Sequence, residues 1–196
     1  MESSFETLIN SYIETRVGIA ENFLSNTLAS HLKNNLLELH QQKQMRHAGT
    51  GNTNNVVHNS NTRGDSIYWL DRKHNNSYEN LFLDQMDNFI SYLNMNCYTG
   101  IKDCEFHYTI YEKGAFYKKH IDQFQNNSNR AFSIISYLNT DWTESDGGEL
   151  CIHHTEKEQH IAPTNCKTVF FKSNEIEHEV LLTNADRLSI TGWLKT

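Results

Sequence analysis

Two stretches of the chain carry apolar residues at helical spacing. From about Ser25 to Lys43, Leu28, Leu32, Leu36 and Leu39 recur at intervals of four, four and three, which puts them on one face. Ser25 stands where an N-cap hydroxyl is needed. A second helix is predicted from about Tyr78 to Asn94, with Phe82, Met86, Phe89, Ile90 and Leu93 on one stripe. Both stripes read as core-facing surfaces that cover one side of a sheet. Between them runs MRHAGTGNTNNVVHNSNTRGDS, rich in Asn, Gly, Thr and Ser, which predicts a loop or hairpin. Its Asn-rich part, 52–61, fits a lid or binding loop and fits a simply solvated loop equally well.

After Cys104 the periodicity shortens. Candidate strands span 105–112, 116–122, 131–138, 149–154, 168–172, 177–182 and 187–194, with turns near Gly114, 126–129, 146–148 and 184–186. Short strands following helices predict a mostly β fold with supporting α-helices, a jelly-roll double sheet. No repeat or linker divides the 196 residues. One domain is expected, helical over about 1–100 with a jelly-roll core over about 101–196.

Composition narrows the partners. There are 17 basic and 24 acidic residues, a net charge of −7, which argues against a broad phosphate-binding face and hence against nucleic acid. No apolar run approaches the roughly 20 residues that span a bilayer. The first residues lack the basic and apolar regions of a signal peptide, so a soluble, cytoplasmic protein is expected. The cysteines, Cys97, Cys104, Cys151 and Cys166, form no CxxC pair and read as buried or partly buried free thiols.

The chemistry concentrates in YEKGAFYKKHIDQF. In an extended strand His120 and Asp122 project to the same side, a spacing at which two ligands can share one ion. His178, in EIEHEVLL, supplies a third candidate donor. Two imidazoles and one carboxylate leave open positions on an octahedral ion, the pattern of non-haem iron(II) oxygenases. A His-x-Asp pair alone also fits two unrelated residues in a chain with eleven histidines. In RLSITGWLK, Arg187, Ser189, Thr191 and Trp193 share one face, and Leu188, Ile190 and Leu194 the other. An inward arginine needs an anion, because an unpaired buried charge is expensive, and a carboxylate matches it bidentately. A solvated Arg on an exposed strand fits this pattern equally. Trp69 and Trp142 read as packing residues.

From Arg63 to Lys195 the segments RGDSIYWLD, YEKGAFYKKHID, ISYLNTDW, GGELCIH, VFFKSNEIEHEV and RLSITGWL resemble the prolyl hydroxylase family of 2-oxoglutarate oxygenases, in the family's order. The likeness is greatest to the oxygen-sensing hydroxylases of animals and their bacterial relatives. The first 60 residues and the 52–61 loop match only loosely. The resemblance implies a double-stranded β-helix and a set of roles. His120, Asp122 and His178 match the iron ligands, with no catalytic side chain beyond that metal centre. Arg187 and Tyr137 match the pair that holds the far carboxylate of 2-oxoglutarate, and Tyr111 and Thr191 line the same pocket. Tyr117, Arg130, Trp193, Arg63 and Asp65 match positions near the substrate. Iron(II), 2-oxoglutarate and dioxygen are the implied cofactors, with ascorbate supporting activity. The implied partner is a protein bearing a target proline, a translation protein for bacterial members and a transcription factor for animal ones. A hydroxylase of a free amino acid or other small molecule is the alternative within the superfamily.

Overall fold

In the computed structural model, which describes residues 2–49, 61–123 and 129–196, the face pattern of RLSITGWLK decides how the sheets stack. Strand β11 (Arg187–Lys195) lies between β4 (Asp103–Tyr111) and β6 (Arg130–Tyr137), antiparallel to both. Leu188, Ile190 and Leu194 enter an apolar core beneath the helices. Arg187, Ser189, Thr191 and Trp193 turn to the other side, where their register partners Tyr137 and Ile135 pack against a second sheet. Both faces of this strand are therefore covered, and the exposed-strand reading is excluded.

The large sheet is completed by β9 (Thr168–Lys172) and β1 (Val17–Ala20) beyond β6, and by β3 (Asp65–Trp69) and β2 (Arg46–His47) beyond β4. The small sheet runs β5 (Tyr117–His120), β10 (Glu177–Val180), β7 (Leu150–His153), β8 (Glu158–Ile161). Val17, Ile135, Val169 and Phe171 from the large sheet meet Leu150, Ile152 and Ile161 from the small one. Two antiparallel sheets stacked this way form the jelly-roll double sheet that the strand pattern predicted, the double-stranded β-helix that the resemblance implied.

Helices α1 (Glu2–Thr15), α2 (Asn26–Gln41) and α3 (Ser77–Cys97) contribute the core on the outer side of the large sheet. Ser25 Oγ accepts the Leu28 N–H at 3.2 Å, capping α2 as expected, and Asn76 caps α3 through the N–H groups of Tyr78 and Glu79. Phe89 is buried among Phe5, Phe23 and Phe170, with ring centroids 5.1–5.7 Å apart. Among the described residues no helix is long and apolar enough to cross a membrane.

The N-terminal part is less helical than expected. It adds β1 to one edge of the large sheet, and β3 and β2 to the other. These strands, with β8, escaped the periodicity reading because they are short or lie at or near edges, where one face need not be apolar; helix α1 was not expected either. Gly18 in β1 permits α1 to lie directly on the strand, since a Cβ there would strike the Leu8 carbonyl. The strand expected over 116–122 ends at His120. Cys97 is exposed, against the expectation of burial, while Cys104 is partly covered and Cys151 and Cys166 are buried.

Replacing Phe89 by Ala removes a ring that no neighbour can replace. The expected loss is ~3–5 kcal/mol of unfolding free energy, read from urea unfolding. A loss below ~1 kcal/mol would mean that the aromatic cluster repacks.

Candidate active site

The register of β10 against β5 places His178 directly opposite His120, with ring centroids 4.3 Å apart. Asp122 lies in the bend just past the end of β5, not within the strand. It still reaches the pair: Oδ1 is 3.4 Å from His120 Nε2 and 3.7 Å from His178 Nε2. What holds it there comes from the large sheet. Ser133 Oγ in β6 donates to Asp122 Oδ2 at 2.6 Å and meets Ser173 Oγ at 2.9 Å. Neither serine stood out in the sequence, although alternation along β6 puts Ser133 on the same face as Tyr137.

The imidazoles are oriented by the backbone. His120 Nδ1 faces the Lys118 carbonyl at 2.8 Å, and His178 Nδ1 faces the Ile176 carbonyl at 3.1 Å. A carbonyl only accepts, so each Nδ1 carries the proton and each Nε2 presents a lone pair to the centre. Donor atoms of His120, Asp122 and His178 lie within 4.8 Å of one another, close enough to hold one metal ion. Burial pushes His178 down to about 4, keeping it neutral. Burial alone would push Asp122 up, but His178, His120 and the Ser133 hydrogen bond outweigh it and hold the carboxyl well below its usual range. Two inward-facing imidazole nitrogens beside a carboxylate are the donor set of a divalent ion.

A β-bulge brings a further ring inward. His178 pairs with His120, but Val180 pairs with Tyr117, so two steps on β10 match three on β5. Plain alternation would put Tyr117 and His120 on opposite faces; instead their rings stack at 3.6 Å. Arg63 lies over the Tyr117 ring at 4.2 Å and grips Asp65 bidentately at 2.6 and 2.7 Å. These three predicted substrate contacts therefore form one buried-edge assembly.

The second centre lies on the inner face of the large sheet, where Asp65, Tyr111 and Arg187 are register partners. Arg187 is 3% exposed. Its Nε donates to the Gly148 carbonyl at 2.6 Å, but its Nη2 is buried without a partner. The Tyr137 hydroxyl is likewise buried and unpartnered. The guanidinium carbon stands 5.1 Å from the Tyr111 ring centre and 5.0 Å from that of Tyr137. Thr191 is partly buried on the same face, its Oγ1 3.4 Å from Ser189 Oγ. Gly148 makes this possible. Its φ of +71° suits glycine, and a Cβ would sit 3.0 Å from Arg187 Cδ. A buried guanidinium nitrogen and hydroxyl left open side by side fit a carboxylate ligand, since leaving them unmatched would cost several kcal/mol.

Arg130 donates to Glu105 Oε1 at 2.9 and 3.1 Å and lies 3.4 Å over the Trp193 ring, whose buried Nε1 has no partner. Trp69, expected to pack, is 45% exposed and meets His107 edge-on at 4.9 Å. His107 itself was overlooked. Counting back in twos from Tyr111 would have placed it inward, and it lies opposite Thr191. The part of the Asn-rich loop at 52–60 lies outside the described residues.

Comparison with known proteins agrees with this geometry. Residues 106–195 match the model of the 2OG-Fe(II) oxygenase superfamily. The structure is similar to a prolyl-4-hydroxylase of Pseudomonas putida, with a TM-score of 0.87 and 28% identity over 97% of this chain and 98% of that one. It is also similar to a prolyl hydroxylase of Trichoplax adhaerens in complex with a hypoxia inducible factor peptide fragment, at a TM-score of 0.85 and 25% identity, covering 99% and 90% of the two chains. The epimerase SnoN of nogalamycin biosynthesis shares the fold, with a TM-score of 0.69 at 10% identity.

Buried His107 makes the metal-free protein acid-sensitive. Burial pushes it from the ordinary 6.5 down to about 4. Above 6.5 folded and unfolded chains both hold it neutral, so there is no penalty. Between the two values only the unfolded chain takes up the proton, and stability falls as pH drops. We expect this residue to contribute a loss of up to ~1.4 kcal/mol per pH unit across that window, and His107→Gln to flatten the slope in urea titrations. An unchanged slope would put the acid sensitivity elsewhere.

Proposed function

The chain is an enzyme of the 2OG-Fe(II) oxygenase superfamily, of the prolyl hydroxylase type, and we propose that it hydroxylates a prolyl residue of a protein substrate. His120, Asp122 and His178 would hold iron(II) through two Nε2 atoms and one carboxylate oxygen. Arg187 and Tyr137 would bind the far carboxylate of 2-oxoglutarate, with Tyr111 and Thr191 lining its side. Iron with 2-oxoglutarate and dioxygen supplies an oxidation that no side chain can perform, yielding succinate, carbon dioxide and a hydroxylated product. The chain's own contribution is placement. Ser133 fixes the Asp122 carboxylate, and the two backbone carbonyls fix the tautomers of the histidines. The Gly148 carbonyl aims Arg187, and the apolar contacts between the sheets keep water from the reacting atoms.

The observation that carries this reading is the unpartnered Arg187–Tyr137 pair on the same face of the large sheet as Ser133, the anchor of Asp122. Tyr137 is four residues along β6 from Ser133, roughly 13 Å of strand. That gap suits a short dicarboxylate reaching from a guanidinium to a metal. A prolyl peptide, as opposed to a free small molecule, is supported by similarity to prolyl hydroxylases over nearly the whole chain. The rim supports it as well. Exposed Trp69 offers an aromatic face for a pyrrolidine ring. The unpartnered Trp193 N–H suits a peptide carbonyl.

Incubating the protein with iron(II), 2-oxoglutarate and a set of proline-containing peptides should add the mass of one oxygen atom to a prolyl residue. Free proline should remain unchanged; hydroxylation of free proline with none on peptides would overturn the protein-substrate reading. Arg187→Ala should raise the KM for 2-oxoglutarate roughly 10- to 150-fold through loss of a charge-assisted pair. An unchanged KM would clear Arg187 of that role. Asp122→Ala should lose both iron binding and succinate production, and retained turnover would refute the triad.

A further inference from the structure

The outward face of the small sheet carries a second group of metal donors, independent of the site above. His178, Ile152 and Leu150 point inward, so alternation turns Cys151, His153, Glu177 and Glu179 outward. Across the register, Glu179 lies opposite Cys151, which lies opposite His160, while Glu177, His153 and Glu158 form the next row. Cys151 is 1% exposed and forms the floor, and the imidazoles and carboxylates stand around it. We propose that this face binds one divalent cation of the zinc class through Cys151 Sγ, His153 Nε2 and Glu179 Oε1.

His153 stands between two carboxylates. Its Nε2 is 3.0 Å from Glu179 Oε1, and its Nδ1 is 3.3 Å from Glu158 Oε1. A divalent ion can take the place of the proton between Nε2 and Glu179. Nδ1–H then donates to Glu158, orienting the ring as carboxylates orient metal-bound histidines, while the Nε2 and Glu179 lone pairs both face the ion. Donor atoms of Cys151, His153 and Glu179 already lie within 4.8 Å of one another. Cys151, Glu158 and His160 meet the same distance on the other side of the thiol, so His160 or water can take a fourth position.

Charge agrees. Glu149, Glu158, Glu177 and Glu179 crowd this face, with Lys119 3.4 Å from Glu177. Burial pushes the Cys151 thiol up to about 11, and Glu158, Glu179 and Glu149 push the same way, so the pocket resists a thiolate without a counter-cation. On binding, the thiol releases its proton to solvent and its sulfur bonds the ion. Sulfur, imidazole and carboxylate together select a borderline-soft ion over magnesium or calcium. The ion would link β7 to β10 on the side away from His178.

Cobalt(II) titration of the full-length Asp122→Ala protein tests this, because the triad it disables holds no sulfur. One equivalent should bind with a near-ultraviolet thiolate-to-cobalt charge-transfer band, which zinc then displaces. Cys151→Ser should abolish the band, and His153→Gln should weaken binding roughly 10-fold or more. Zinc about a hundredfold above its Kd should raise Tm by roughly 5–10 °C in protein retaining Cys151. In wild-type protein the same band reports the same site, should Asp122→Ala fold poorly. Absence of the band would overturn the proposal, as would its survival in Cys151→Ser. Either result would leave the oxygenase reading untouched.

Discussion

Arg187 is nearly excluded from water, and one arm of its guanidinium has no hydrogen-bond partner in the protein. An interior arginine cannot lose its charge to escape the cost of burial, so an anion must complete it. Much of the surrounding sequence serves that requirement. Gly148 leaves room for the Arg187 chain and turns its carbonyl to Nε, while Tyr111 and Tyr137 flank the group. The same demand explains why a strand between two covered faces carries an arginine and a run of hydroxyls where leucine would otherwise pack.

The two sheets divide the work. The large sheet is braced by helices across its outer face, which makes it a rigid floor for Arg187, Tyr137 and Ser133. The small sheet brings the imidazoles, its register putting His178 against His120. Neither sheet is sufficient alone. The carboxylate that completes the donor set leaves β5 and is caught by a serine of the large sheet, so the candidate metal centre spans the interface between the layers. Stacking of the sheets and assembly of the donor set are one event.

At the mouth, cations over aromatic rings recur: Arg63 on Tyr117 and Arg130 on Trp193. Each guanidinium is also tied to a carboxylate, Asp65 or Glu105, so these rings are held in place without a ligand. A preorganised rim of this kind would lower the entropy lost on docking of the proposed peptide substrate. The small sheet has two chemically distinct faces because strand alternation sends Leu150, Ile152 and His178 one way and Cys151, His153 and Glu179 the other.

Periodicity alone located α2, α3 and seven of the eight strands from β4 to β11, because burying one stripe or one face leaves a local record in the order of residues. It also placed Arg187, Thr191 and Tyr137 correctly by face, and the motif likeness grouped them with His120, Asp122 and His178. Strands β2 and β3 left no such record, since β3 is defined by pairing with β4, far along the chain, and β2 by pairing with β3. The inward turn of Tyr117 depends on one extra residue in a bulge, and the aim of Asp122 on Ser133 in another sheet. Orphaned nitrogen and hydroxyl groups are properties of three-dimensional burial, which no linear pattern reports. Residue types and their faces were thus set by short-range order; which of them meet, and which are left wanting a ligand, was decided only when distant strands paired.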